Sequence, residues 1–259
     1  MAWAAVREVL IVVGLAMALS LLVKTFLVQP FHIPSGSMEN TLIKGDRVVV
    51  SKLTPGPVDL ERGDIVVFTD PDSWLGELPP VDPSALNRVL IFLGLAPDES
   101  SDHLIKRVIG LPGDRVVCCT SGGELTVNGL PITEPYLKPG DTPGGDRSGF
   151  DIVVPQGRLW VMGDHRSDSA DSRFHDDGTG ATGSVPIDLV IGRAVVVVWP
   201  LDRVTWLSVS ERVFANVPGS AGTPTATNSS TAPTGSGSAS RRPGSTQGVA
   251  PASAGANSP

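Results

Sequence analysis

Two serines separated by one glycine, Ser35 and Ser37 in PSGSMENTL, lie just past the apolar N-terminal run and are of a type that could perform covalent chemistry. A serine hydroxyl attacks a carbonyl only when a neighbouring base takes its proton. Ser-Gly-Ser is also an ordinary turn sequence, so these serines need a base elsewhere before they mean more than a turn. The four histidines, His32, His103, His165 and His175, fall in no Ser-His-Asp arrangement, and no G-x-S-x-G elbow is present. The other base available to a serine is a lysine held neutral by apolar surroundings. Of five lysines, Lys24 lies in the apolar N-terminal run, Lys44 in a KGD turn and Lys138 in a Pro-Gly loop, which leaves Lys52 and Lys106 in strand-like apolar sequence. Period-two alternation in HLIKRVIGL puts Lys106 on one face with Leu104 and Val108, and Arg107 on the other with Ile105 and Ile109. Residue types alone do not choose between the two lysines.

A third polar stretch, GDHRSDSADSR from Gly163 to Arg173, gathers Asp164, Asp168 and Asp171 with His165, and Asp176, Asp177 and His175 follow it. Its spacing fits neither a D-x-D-x-D-G calcium loop nor an H-E-x-x-H zinc helix. The reading is a solvated or salt-bridged loop, with no metal and no cofactor expected.

The elements that must position these residues are legible in the hydrophobic pattern. Between Gln29 and Asn216, short β-branched runs (DRVVVSKL, GDIVVFTD, HLIKRVIGL, DRVVCC, ELTVNG, RLWVMGD, GRAVVVVWP) alternate with Gly-Asp, Pro-Gly and Asn-Gly turns. No βαβ alternation appears, so residues 29–216 are expected to form a mostly β, antiparallel domain. Within it, residues 74–98 read as an insertion carrying a short apolar helix over Ser84–Leu95, packed on the sheet or dipping into a membrane interface. Adjacent Cys118 and Cys119 suit neither a zinc site nor a spaced disulfide framework, and are expected to alternate across a strand as small, buried or half-buried residues, a vicinal disulfide being the less favoured alternative.

The ends are different. VLIVVGLAMALSLLVKTFLV, Val9–Val28, carries a single charge, Lys24. Its length matches the roughly 20 residues that cross a bilayer as a helix. The apolar run continues past Ala16-Met17-Ala18 where a cleaved leader would turn polar, so residues 1–28 are expected to be an uncleaved transmembrane anchor. The flanking charges lean towards an inside N-terminus with everything after Gln29 outside. From 217 to 259 the chain is almost entirely Gly, Ser, Thr, Ala and Pro, which cannot bury enough apolar surface to offset chain entropy, and a disordered tail is expected. The net charge is -7, and the tail holds two arginines and no acid, so the remainder is more acidic still. An acidic chain without a basic stripe argues against nucleic acid as a partner.

Taken together, the anchor, PSGSMENTLIKGDRVVVSK, RGDIVVF, LIKRVIGLPGD, VNG with EPYL, and GDHRSDSADSR with IGRA closely resemble bacterial type I signal peptidase, from about Phe31 to Pro200. The resemblance implies a Ser–Lys serine endopeptidase held by a single span in the bacterial cytoplasmic membrane. Its catalytic domain would be extracytoplasmic, mostly β and in two parts. It would remove signal peptides from secreted preproteins after A-x-A sites, with preproteins and membrane lipids as partners. It makes Ser37 the nucleophile and Lys106 the general base, selecting Lys106 over Lys52. Ser35 would join the Ser37 N–H in an oxyanion hole, Ser169 would orient the lysine, and Asp171 and Arg173 would form a supporting ion pair. Arg107, Gly163 and Asp164 fall on family motif positions, and Ile33, Pro34, Met38, Leu42 and Ile105 would line the substrate pockets. Three departures stand out: Asn40 replaces a common proline and is expected to loosen the turn after the nucleophile, His165 replaces a frequent asparagine, and FHDDGTGATGSVP is longer and more polar than its counterpart. Two other readings fit the residues less fully: a different tethered Ser–Lys hydrolase related to self-cleaving repressors, and a non-catalytic anchored β module.

Overall fold

Each of the seven β-branched runs forms a strand in the computed structural model, which describes residues 2–71, 74–76, 84, 102–207 and 211–219. Ahead of them, helix α1 spans Ala2–Phe26, and its window Ala5–Val23 has a mean hydropathy of 2.3. Leu10, Leu15, Leu19 and Leu22 are all exposed, so this apolar surface has no partner among the described residues. At 1.5 Å per residue the helix is about 37 Å long, enough to cross a bilayer's hydrocarbon core.

The larger sheet contains β1 (Val28–His32), β2 (Arg47–Ser51), β3 (Ile65–Thr69) and β4 (His103–Gly110). The smaller contains β5 (Arg115–Cys118), β6 (Leu125–Val127), β7 (Leu130–Ile132) and β8 (Asp151–Val153). The chain then returns to the larger sheet with β9 (Arg158–Met162), β10 (Val185–Pro186), β11 (Val190–Trp199) and β12 (Thr205–Trp206). The larger sheet runs β1-β2-β11-β3-β4-β9-β10 with β12 on β11, and the smaller runs β7-β6-β5-β8. Every pairing is antiparallel. Strands β1, β7, β8, β10 and β12 lie outside the runs read from the pattern.

Two consequences place the site. β4 lies between β3 and β9, with Val66 opposite Lys106 and Met162 opposite Arg107, so both cations are buried in mid-sheet. β1 is an edge strand joined directly to α1, which limits how far Ser37 lies from the end of the helix: eleven residues of fully extended chain reach at most about 40 Å. The core beneath β1 and β2 includes Phe31, Ile33, Val48 and Val50. Complete burial of one such valine contributes roughly 1.5–3 kcal/mol. In the smaller sheet, Asn128 and Gly129 close the β6–β7 hairpin with φ of 52° and 81°, the left-handed pair that a two-residue Asn-Gly turn supplies.

Three sequence expectations meet the structure here. Cys118 and Cys119 do not simply alternate: their Cα atoms are 3.0 Å apart and a disulfide joins the two neighbours. The pair sits under a loop, with Cys118 N donating to Phe150 O and Gly149 N donating to Cys118 O. The helix expected over Ser84–Leu95 falls, apart from Ser84, outside the described residues. At the C-terminal side, Val217 is buried with Phe214 in the core of the smaller sheet, and Pro218 O accepts from Arg62 and Asn128. Packing therefore continues past residue 216; from 220 the sequence lies outside the described residues.

Candidate active site

The turn after β1 carries Ser37 and β4 carries Lys106, and the fold brings Lys106 Nζ to 2.5 Å from Ser37 Oγ. Both are buried, Ser37 at 6% and Lys106 at 4% exposure. Desolvation disfavours an ammonium and is the largest influence on Lys106, lowering its pKa from 10.5 to about 8. The negative charges of Asp171, Asp164 and Asp168 oppose that shift, while the positive charge of Arg173 adds to it. A lysine neutral on the mildly alkaline side, within hydrogen-bond reach of a hydroxyl, can accept that hydroxyl's proton. Lys52 is elsewhere: its Nζ donates to Thr25 O at the foot of α1.

Ser35 is exposed, with its Oγ 3.5 Å from Ser37 Oγ. Among the described residues the Ser37 N–H has no acceptor, so a hydroxyl and an amide are free to meet charge developing beside Ser37. The carbonyl of Ser37 is occupied instead, accepting from His165 N at 3.1 Å.

Two buried ion pairs fix the loop that faces this turn. Arg107 donates bidentately to Asp164 (2.8 and 2.6 Å), and Arg173 to Asp171 (2.8 and 2.7 Å). Asp171 also accepts from Gly163 N at 2.9 Å. Burial alone would raise the Asp171 carboxyl; the Arg173 hydrogen bond and charge overcome it and hold the group below its ordinary value. Gly163 is required for space: a Cβ there would lie 2.3 Å from Ser169 Oγ and 2.4 Å from Ser37 O. Ser169 thus stands beside the turn with its Oγ buried, but no hydrogen bond joins it to Lys106, whose Nζ bonds to Ser37 Oγ.

Four of the five apolar candidates, Ile33, Met38, Leu42 and Ile105, share one core cluster under the turn, whereas Pro34 is exposed on its rim.

Several supporting residues were not singled out from sequence. Thr41 Oγ1 donates to Asp164 Oδ2 at 2.5 Å. Arg107 lies 4.0 Å over the Tyr136 ring, and the Tyr136 hydroxyl donates to Glu134 at 2.8 Å. Glu134 in turn pairs with fully buried Arg166, which donates to Gly163 O at 2.9 Å. EPYL was visible as a motif, but its pairing with Arg166, thirty-two residues on, leaves no local signature.

Asn40 corrects an expectation. It does not loosen the turn: its φ is 88°, and its Nδ2 donates to Tyr136 O (3.2 Å) and Leu137 O (3.1 Å). Proline, locked near −65°, cannot adopt this conformation. Asn40→Pro should therefore lower kcat about 100-fold, as expected when reacting groups are misplaced by about 1 Å. Asn40→Gly retains the positive φ, loses only the two bonds, and should cost less than ten-fold. Steady-state kinetics on the two variants checks the order.

Comparison with known proteins points the same way. The sequence model described as "Signal peptidase, peptidase S26" matches residues 6–199. A probable signal peptidase I of Mycobacterium leprae is 40% identical over 228 residues, covering 77% of this chain and 78% of the relative. Signal peptidase I of Mycobacterium tuberculosis is 38% identical over 221 residues, covering 76% and 74% respectively. The signal peptidase I of Leptolyngbya laminosa is 34% identical over 192 residues, covering 74% and 78%.

Proposed function

We propose, from the premise that this chain belongs to the signal peptidase family S26, that Ser37 and Lys106 are its catalytic dyad. The chain is a serine endopeptidase that removes signal peptides. The observation carrying the residue assignment is the buried 2.5 Å approach of Lys106 Nζ to Ser37 Oγ.

Neutral Lys106 takes the hydroxyl proton as Ser37 Oγ attacks the scissile carbonyl carbon. The resulting oxyanion is met by the Ser37 N–H and the Ser35 hydroxyl. The carbon–nitrogen bond then breaks, and Lys106 gives its proton to the leaving amine, which departs as the mature protein's N-terminus. Neutral again, Lys106 accepts a proton from water, whose oxygen attacks the acyl-Ser37 ester; protonated Lys106 returns that proton to Ser37 Oγ as the signal peptide leaves. Asp164, Arg107, Asp171, Arg173, Gly163 and Ser169 act by positioning the dyad.

Residues 1–28 form the single anchor and the β domain acts on the outer face of the cytoplasmic membrane, with α1 in contact with lipid. A substrate adds as a strand beside edge strand β1, so alternate side chains face the enzyme. The nearly filled floor of Ile33, Met38, Leu42 and Ile105, with Pro34 at its rim, admits only small side chains at the two inward positions before the bond. A bulky or charged group there would clash or be desolvated without a partner. The expected result is cleavage after A-x-A, shown by sequencing the new N-terminus from a purified preprotein. Equal cutting with leucine or lysine at the outer two positions would overturn the pocket assignment.

A further inference from the structure

Beside the dyad lies a cavity of about 830 Å³. Its walls include Phe150, Trp160 and Phe174, with Asp146, Asp168 and Asp176 around them. We propose that this cavity binds the preprotein segment that follows the scissile bond, and that it favours basic over acidic side chains there. The proposal rests on the assignment of Ser37 as nucleophile.

Position is the first argument. Ser169 lines the cavity and also closes on Gly163 and the Ser37 carbonyl, as the clash of a Cβ at Gly163 with both shows. The apolar floor of Ile33, Met38, Leu42 and Ile105 belongs to the core beneath β1 and β2, whereas Trp160 and Phe150 belong to the core of the smaller sheet. A strand lying along β1 up to Ser37 and continuing past Ser169 therefore leaves one apolar surface and enters the other.

The second argument is an unmet donor. Trp160 is fully buried, lines the cavity, and its Nε1–H has no acceptor among the described residues. A buried donor without a partner costs about 1–3 kcal/mol, and a carbonyl of an extended peptide would satisfy it once side-chain movement uncovers the indole edge, which is closed to water here.

Charge sets the preference. Arg166 and Arg173 also line the cavity, but each is paired with a buried carboxylate, Glu134 and Asp171. Arg147 is held over the Phe174 ring at 4.4 Å. Asp146, Asp168 and Asp176 then outnumber the one remaining cation. Phe174 and Asp176 come from FHDDGTGATGSVP, the polar stretch that follows Arg173.

The test uses the full chain and three preproteins with a fixed A-x-A site, carrying Lys-Lys, Ser-Ser or Glu-Glu at the second and third positions after the cut. At low salt, kcat/KM for Lys-Lys should exceed that for Glu-Glu about ten-fold, mainly through KM, and the gap should shrink at high salt. In Asp146→Lys and Asp168→Lys the Lys-Lys to Glu-Glu ratio should fall towards or below one; a ratio within one enzyme is insensitive to any general loss. Ser37→Ala should bind peptides of the three sequences in the same order without cutting them. Equal rates and equal affinities for all three would overturn the proposal while leaving the dyad intact. A Ser-Ser preprotein left uncut by the wild-type chain would instead contradict the dyad assignment, and the binding order would still decide the fate of the cavity.

Discussion

Replacing Ser37 with alanine, or Lys106 with methionine, should lower kcat by about four to six orders of magnitude. The two losses should be nearly equal, because a nucleophile and its base act as one unit. Combining the substitutions should cost little beyond either alone. Lys52→Met is the control: its Nζ lies at the foot of α1, and substantial activity should remain. Stability separates lost chemistry from lost fold. Lys106 has a folded pKa of about 8, below its unfolded value, so the unfolded chain holds the extra proton between about pH 8 and 10.5 and stability rises with pH across that window. Below about pH 8 the full penalty of the buried ammonium applies, about 3 kcal/mol by linkage. Lys106→Met removes it, so at pH 7 the inactive variant should melt no lower than the wild type. A variant both dead and strongly destabilised would weaken the case for a catalytic lysine.

The second large effect is expected from a single methyl group. Gly163→Ala places a Cβ 2.4 Å from the Ser37 carbonyl oxygen, and that oxygen is backbone, already held by the His165 N–H. Ser169 Oγ, at 2.3 Å, can rotate away, but Ser169 Cβ at 2.6 Å and the Ser37 carbonyl are fixed to backbone, so both the Ser37 and Ser169 segments must shift. Displacing the Ser37 peptide moves both the nucleophile and the N–H that would meet the oxyanion. A shift of about 1 Å costs on the order of 100-fold in rate, and loss of one oxyanion donor a further 100-fold or more. We expect kcat to fall about 10,000-fold with KM changed less than three-fold. Activity within ten-fold of wild type would mean the turn is more compliant than its hydrogen bonds imply.

What the sequence made legible follows from where its information is local. Strands β2 to β6, β9 and β11 could be read because period-two alternation and Gly-Asp or Asn-Gly turns are written within a few residues. The short strands β7, β8, β10 and β12 hold two or three residues, too few for a period to show. Residue chemistry narrowed the base to Lys52 or Lys106, and the family resemblance chose between them. The structure supplies a physical reason, since only Lys106 is both desolvated and in reach of Ser37. The support around the dyad was less legible. Glu134, Tyr136 and Arg166 form a buried network across two loops, and one sequence records no such pairing. Asn40 was misjudged because its side-chain bonds to the 136–137 backbone depend on tertiary contact. The joined Cys118 and Cys119 likewise could not be told from two small strand residues by spacing.

The central claim is that a neutral lysine activates Ser37, and the pH dependence of kcat/KM on an A-x-A preprotein tests it most directly. That profile reports the ionisation of the free enzyme. Below about pH 8 Lys106 is protonated and cannot accept the hydroxyl proton, so the rate should fall about ten-fold per pH unit on the acid side and level off above about pH 8. A profile flat from pH 5 to 9, or one whose midpoint lies near pH 6.5 and moves when a histidine is replaced, would contradict the account.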